Sequence, residues 1–209
     1  MSDDDLAIEP IWGLPERLPE DETILWQGQP DWWALARESL AFNWVAGYFI
    51  VLFLWRMIAA SDTMPVLQAA VASSFFLVLG AVVCALLLFT AFIQARAAAY
   101  TVTNKRVTLR IGAALSMTLN LPYTWIGNAR LDLRKSGSGT IAFELMGTTR
   151  FSYLLCWPHV RPWRMARTEP AFRCIPDAAK VARLIADAAE TRVSEPKLTR
   201  IADDALAAE

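Results

Sequence analysis

The sequence has few of the side chains that form metal sites, disulfide frameworks and catalytic triads. It contains one histidine, His159, and three cysteines, none of them in a CxxC pair. Structural zinc sites usually take cysteine ligands from closely spaced pairs, which this chain lacks, and no serine or acid lies near His159 at a spacing that suggests a hydrolase triad. We therefore expect a protein without a metal, a cofactor or catalytic activity.

Charge is almost absent from one long stretch of the chain. Residues 42–95 contain one basic and one acidic side chain. A helix needs about 20 apolar residues to cross roughly 30 Å of hydrocarbon, and residues 39–60 and 64–95 each supply that length. The first apolar run begins about forty residues into the chain and follows acids, unlike a cleaved signal peptide. We predict a transmembrane helical hairpin over residues 39–95.

Basic residues flank the open end of this hairpin, whereas the turn at residues 61–65 has none. The flanking cations are Arg37, Arg96, Lys105, Arg106 and Arg110. The positive-inside rule then places both termini in the cytoplasm, and we expect these five side chains to meet anionic lipid headgroups. Arg56 lies near the opposite end of the first span. Snorkelling to the interface is one interpretation of this residue, and a functional intramembrane cation is the other.

The net charge of −1 conceals a strong asymmetry along the chain. The segment charges are −8 for residues 1–41, 0 for 42–95, +9 for 96–168 and −2 for 169–209. Either the opposite blocks attract each other, or the basic segment faces a partner of negative charge. Attraction to anionic lipids contributes about 1 kcal/mol of binding free energy for each nearby cation. The positive charge of a membrane-tethered segment is therefore explained without nucleic acid. We expect lipid, and no nucleic acid, as the charged partner.

Residues 1–38 form an acidic arm that is rich in proline and tryptophan. Its prolines and glycines interrupt any long helix, so we expect an extended segment. Asp31 is a suitable N-cap for a short helix that would lie along the cytoplasmic membrane interface. The side chains that we expect to contact a partner are Trp12, Leu14, Trp26, Trp32 and Trp33. The alternative is an aromatic belt at the membrane interface with no partner.

Apolar and polar residues alternate with a period of two after Ala99, as in residues 129–133 and 141–145. This period is typical of half-buried antiparallel strands, and about seven of them fit between Tyr100 and Cys174. The sequence therefore predicts a β-rich domain after the hairpin.

An amphipathic helix is predicted to follow the strands, from Asp177 to near Thr191. The expected fold class is α+β. The transmembrane hairpin is followed by a small, partly open antiparallel β-barrel over residues 96–192, which this helix caps. Residues 193–209 are then a C-terminal tail.

The segment from Cys156 to Arg164 reads Cys-Trp-Pro-His-Val-Arg-Pro-Trp-Arg. Tryptophan and arginine are enriched at interface hot spots, so Trp157, Arg161 and Trp163 are candidate partner contacts. Insertion of the same loop into the lipid headgroup layer is an equal alternative. Among these prolines, tryptophans and arginines we expect His159 to be an ordinary surface-loop histidine.

Four motifs together resemble the membrane-anchored bacterial pleckstrin-homology-like family over about residues 20–190. They are Glu-Thr-Ile-Leu-Trp-Gln-Gly-Gln-Pro before the hairpin, Tyr-Thr-Val-Thr-Asn-Lys-Arg-Val after it, Ser-Gly-Ser-Gly-Thr-Ile, and Phe-Arg-Cys-Ile-Pro-Asp before the last helix. The strings Gly-Leu-Pro-Glu-Arg-Leu-Pro and Trp-Gln-Gly-Gln-Pro-Asp-Trp-Trp-Ala-Leu-Ala-Arg-Glu resemble the PuhB-type photosynthetic complex assembly proteins of purple bacteria. The resemblance implies a PH-like barrel.

The PuhB-type resemblance implies a non-enzymatic assembly factor in the intracytoplasmic photosynthetic inner membrane. Its partners would be subunits of the reaction centre and of the core light-harvesting complex. Neither span contains a histidine to ligate bacteriochlorophyll, which disfavours a pigment-holding subunit. Alternatives are a general membrane-anchored PH-like scaffold or lipid-binding protein with other clients, and a membrane enzyme or transporter, for which the spans lack carboxylates. Association into a homodimer stays open.

Overall fold

A computed structural model gives the fold of residues 12–14, 16–113, 116–134, 137–147 and 150–194. Predictions for the first eleven residues of the arm, and for residues 195–209 of the expected tail, lie outside the described residues.

Two long antiparallel helices form the predicted hairpin. Helix α2 covers Phe42–Ser61 and helix α3 covers Val66–Ala97. Both are long and apolar enough to cross a membrane. The helices approach closely at Gly80, where an added Cβ would lie 2.7 Å from the Cβ of Phe49. At 1.5 Å per residue α2 is about 30 Å long and α3 about 48 Å, so the last dozen or so residues of α3 extend beyond the start of α2.

In the described residues, seven antiparallel strands form two sheets. The first sheet has the order β1 (Ile24–Gly28), β2 (Ala99–Thr103), β3 (Arg106–Ile111), β4 (Met117–Pro122). The second has the order β5 (Ile126–Leu133), β6 (Gly139–Leu145), β7 (Ala171–Ile175). A one-turn helix α4 (Tyr153–Cys156) lies between β6 and β7, and α5 (Ala178–Ser194) follows β7. The last helix is thus confirmed close to its predicted bounds.

The strands differ from the sequence prediction in two ways. Six strands follow the hairpin, and the seventh, β1, comes from the arm and pairs with β2. The described residues form two separate sheets around one core rather than a closed barrel. Pro122 has no N–H to donate and a 3-10 turn follows it, so the ladder of β4 does not continue into β5. Residues of α5, among them Val181 and Ile185, close the core.

Helix α1 (Trp32–Glu38) joins the hairpin to the sheets. As predicted, Asp31 caps it, because its carboxylate accepts a hydrogen bond of 2.7 Å from the amide of Ala34. Leu35 packs against Ala95 of α3 and Cys174 of β7. Helix α1 therefore lies in the space beside the last turns of α3, between the hairpin and the second sheet.

The domain has a near end and a far end relative to the hairpin. We call the region around residues 37–44 and 91–99 the hairpin base. The β2–β3 turn lies six residues beyond Ala99, about 20 Å along the strand direction. The arm follows the same axis: Gly13 contacts Ala99 at the base, Asp21 lies at the far turn, and Gly28 is back opposite Tyr100.

Candidate functional site

The acidic arm pairs with the basic domain in three places. Lys105 donates a hydrogen bond to Asp21, which lowers the pKa of that carboxyl. The side chain of Glu22 is buried and lies 2.9 Å from Nε of Arg106. The third pair joins Glu38 of α1 to Arg134. Attraction between the opposite charge blocks therefore accounts for part of the asymmetry in the sequence.

These pairs divide the five cations that the sequence grouped as headgroup contacts. Lys105 and Arg106 lie at the far turn and are occupied by carboxylates of the arm. Arg37 and Arg96 are exposed at the hairpin base, where Arg96 lies 5.2 Å from the ring centroid of Phe92. Arg110 of β3 is opposite Ala99, also near the base. The three cations that lie near the hairpin base are thus Arg37, Arg96 and Arg110.

A buried polar network ties α1 to the second sheet. The guanidinium of Arg173 in β7 donates hydrogen bonds of 2.7 Å to the hydroxyl of Ser39 and 3.1 Å to the carbonyl of Val160. The neighbouring thiol of Cys174 donates to a carboxylate oxygen of Glu38 at 3.1 Å. Burial, followed by the charge of Glu38, raises the pKa of Cys174 to about 12, so the thiol keeps its proton. The network fixes the end of α1 to the domain.

His159 is buried, which corrects the expectation of a surface-loop histidine. Only 1% of its surface is exposed, and its Nδ1 lies 2.6 Å from the hydroxyl of Tyr100. That hydroxyl also accepts a hydrogen bond of 3.3 Å from the amide of Arg173, so it links the histidine to β7. Burial, with a smaller effect from Arg173, lowers the pKa of His159 to about 3. The histidine is therefore a neutral core residue.

The predicted aromatic contacts of the arm separate into buried and exposed groups. Leu14 is only 3% exposed, and the ring of Trp26 lies 5.9 Å from that of Phe172, so both belong to the protein's own packing. Trp12, Trp32 and Trp33 have more than two fifths of their surface exposed. Trp12 precedes the glycine that contacts Ala99, whereas the other two lie beside Phe92 and Phe42. All three therefore lie at the hairpin base.

A second exposed apolar surface, which we call the aromatic loop, covers residues 153–165. Its most exposed side chains are Leu154, Leu155, Trp163 and Met165. Trp157, Trp163 and Met165 line a cleft of about 510 Å³ together with Arg37 and Trp44 at the hairpin base. Sequence reasoning found the two tryptophans of this loop but missed the leucines and the methionine, because a one-turn helix is too short to show a periodic pattern.

Arg161, the predicted arginine contact of this loop, is held within the protein. Its guanidinium lies 2.9 Å from a carboxylate oxygen of Glu169, whose side chain is buried, and Arg164 lies 3.7 Å from the other oxygen. The aromatic loop therefore carries arginines whose charge is partly compensated by an acid beneath them.

No metal-binding cluster is evident in the described part of the chain. There, no three His, Cys, Asp or Glu side chains come together as a metal site would require. The three cysteines are free. The exposed tryptophans, the aromatic loop and the cations at the hairpin base form an apolar and basic surface, which is the candidate functional surface.

Comparison with known proteins gives a family and a relative. Residues 43–189 match the family described as Bacterial PH domain. A protein of Rhodobacter capsulatus, described as an uncharacterized 23.7 kDa protein in the puhA 5′ region, is 44% identical over an alignment of 205 residues that covers 95% of this chain and 94% of the relative. No solved structure matches the chain.

Proposed function

This chain belongs to the bacterial PH domain family, and we propose that it is a non-enzymatic, membrane-anchored assembly factor for the photosynthetic reaction centre and its core light-harvesting complex. The observation that carries the proposal is the fixed connection between an apolar hairpin and a domain that presents several exposed tryptophans, among them Trp12, Trp32 and Trp33, at the hairpin base. Such a protein works by holding partners in place.

Membrane anchoring is supported by the surface of the hairpin. Large apolar side chains on both helices point outward, among them Trp44, Val71 and Phe75, each more than three fifths exposed. Exposed apolar surface of this extent is unfavourable in water and favourable in hydrocarbon. We propose that α2 and α3 span the bacterial inner membrane with both termini in the cytoplasm, since the base carries Arg37 and Arg96 and the opposite turn carries no cation.

A role in binding is supported by the way α1 holds the domain. Leu35 is buried between α3 and β7, and Arg173 bonds to Ser39 at the end of α1. The domain is thus held at a set position against the base instead of swinging on a linker. A client subunit in the same membrane would meet Trp12 and Trp32 at a defined height.

The photosynthetic client is supported by two further observations. The arm sequence resembles the PuhB-type assembly proteins, and the relative from Rhodobacter capsulatus takes its description from the puhA 5′ region. Both fit a function beside the genes and proteins of the reaction centre. Anionic lipids are proposed as second partners through Arg37, Arg96 and Arg110.

Affinity purification tests the proposal and identifies the client. The tagged chain is captured in mild detergent from a purple bacterium that is inducing its pigment–protein complexes. Trp12→Ala removes an exposed arm tryptophan, and Trp125→Ala is the matched control, because Trp12 and Trp125 are 44% and 47% exposed and Trp125 follows β4 at the far end of the domain.

We expect reaction-centre and core light-harvesting subunits to be captured with the wild-type chain and with Trp125→Ala, and several-fold less with Trp12→Ala. Capture of other membrane proteins only would contradict the photosynthetic assignment and favour a general PH-like scaffold. Differently tagged copies in the same cells show whether the chain also associates with itself.

A further inference from the structure

The aromatic loop carries exposed apolar side chains that pack against neither the hairpin nor the core. We propose that this loop inserts into the interfacial layer of the lipid bilayer, beside the start of α2, as a third membrane contact. The inference rests on the proposed membrane anchoring and adds that the domain lies against the membrane surface on this side.

The position of the loop relative to α2 is the first argument. Helix α2 begins at Phe42, so in an inserted hairpin Trp44 lies in the first turn, at the boundary between headgroups and hydrocarbon. Trp44 is 83% exposed and lines the same cleft as Trp157, Trp163 and Met165. The loop therefore lies at the height of the boundary, where the bilayer surrounds the hairpin.

The composition of the loop is the second argument. Leu154 and Trp163 are 85% and 88% exposed, whereas Cys156 and Val160 on the inner side are buried. An apolar outer side on a fixed inner side is the arrangement of interfacial membrane segments, and tryptophan favours the headgroup layer. Glu169 lies beneath the loop and pairs with its arginines, which reduces the charge that insertion would bring into the interface.

Backbone strain at Trp163 is the third argument. Its φ of 64° is in the left-handed region, which is unfavourable for a bulky side chain and suits glycine or asparagine. Strain of this kind persists where the surroundings or a function maintain it. The indole is almost fully exposed, so packing within the fold gives little reason to keep it there. Contact with an external apolar layer supplies that reason.

A bilayer is favoured over a protein client as the occupant of this surface. Lipid surrounds the base of an isolated hairpin on every open side, and a client would have to displace it from the cleft beside Trp44. The test therefore uses purified chain in vesicles of phosphatidylcholine and phosphatidylglycerol, with no other protein present. Under these conditions quenching of a loop label by spin-labelled lipid reports contact with the bilayer and cannot come from a client protein.

Site-directed fluorescent labelling measures the depth of the loop. The parent variant Cys84→Ala keeps Cys156 and Cys174, which are buried and must take up no label. An environment-sensitive dye is placed through Leu154→Cys or Trp163→Cys on the loop. Two control positions are labelled in the same way. Trp125→Cys lies at the far end of the domain, and Val78→Cys lies on the exposed surface of α3. Quenching by spin-labelled lipids then reports depth.

We expect labels at positions 154 and 163 to be quenched several-fold more strongly than the label at 125, and most strongly by lipids labelled near the headgroup. The label at 78 should respond to deep quenchers. Unquenched labels at 154 and 163 beside a quenched label at 78 would overturn the inference and favour a protein client for the loop. An unquenched label at 78 would instead overturn the proposed anchoring. Met165→Cys replaces any loop variant that loses the melting transition of the parent.

Discussion

Arg173 of β7 donates a hydrogen bond of 2.7 Å to the hydroxyl of Ser39, although the two residues are 134 positions apart in the chain. The bond joins the end of α1, just before the first long helix, to the second sheet of the domain. It is one of the contacts that make the hairpin and the domain a single unit, which the proposed function requires.

Replacement of Ser39 by alanine should loosen this connection. The variant leaves the buried guanidinium of Arg173 without one of its partners, and such a loss costs about 1–3 kcal/mol. We expect a lower melting midpoint in detergent and faster proteolysis near α1. Ser61→Ala is the matched control, because the Ser61 hydroxyl bonds to the carbonyl of Ile58 in its own helix. Equal melting midpoints for the two variants would contradict the coupling.

Acidification should destabilise the domain through His159. Its pKa is about 3 in the folded protein and about 6.5 in an unfolded chain. The unfolded chain therefore takes up the proton first, so the stability is complete above about pH 6.5 and declines as the pH falls toward the folded pKa. Between pH 7 and pH 5 we expect the free energy of unfolding to fall by about 2 kcal/mol. Thermal melts in detergent at stepped pH values measure it.

The variant His159→Gln isolates this effect. The chain has no other histidine, and histidine is the side chain whose ordinary pKa lies in this range. We expect the melting midpoint of the variant to be nearly constant between pH 7 and pH 5, even if it is lower throughout. A variant that keeps the wild-type pH dependence would show that His159 is not its source.

Substitution of Trp163 by asparagine should stabilise the isolated protein. A left-handed backbone costs a bulky L-residue about 1–2 kcal/mol, and asparagine tolerates it better. We expect a higher melting midpoint in detergent for Trp163→Asn, whereas Trp125→Asn, with no positive φ at that position, should give no increase. A destabilised Trp163→Asn would mean that the indole packs within the fold, contrary to its exposure.

Gly13 should not tolerate alanine. Its φ is +77° and an added Cβ would lie 2.4 Å from the Cβ of Ala99, so the variant combines strain with a clash at the hairpin base. Gly137→Ala is the control for strain alone, because φ is +84° there and no atom lies within 4 Å of the added Cβ. We expect proteolysis of the arm to accelerate only in Gly13→Ala. Equal sensitivity would show that the arm is not docked at Ala99.

Some elements can be predicted from the sequence because they depend on residues that are close together in the chain. Residues 42–95 contain only two charged side chains, Arg56 and Asp62, and this long apolar composition predicts two long helices from local sequence alone. Asp31 identifies the start of α1 because an N-cap acts on amides within one turn. The apolar positions of α5, such as Val181 and Ile185, repeat with the helical period over the full length of the helix.

Other features depend on residues that are distant in sequence. Strand β1 has only five residues with no clear alternation, and its place is set by pairing with β2, after the whole hairpin. His159 lies among prolines, tryptophans and arginines that suggest a surface loop. Its burial depends on a hydroxyl 59 positions away, that of Tyr100. Lys105 and Arg106 follow the hairpin closely in sequence, yet the direction of β2 carries them to the far end.

The amount of assembled reaction centre in membranes of a deletion strain tests the central claim most directly. Reaction-centre and core light-harvesting complexes are quantified in isolated membranes, together with the transcripts of their subunits. We expect the deletion to reduce both complexes several-fold at unchanged transcript levels, and the wild-type chain to restore them. Unchanged complex yield in the deletion strain would contradict the proposed function.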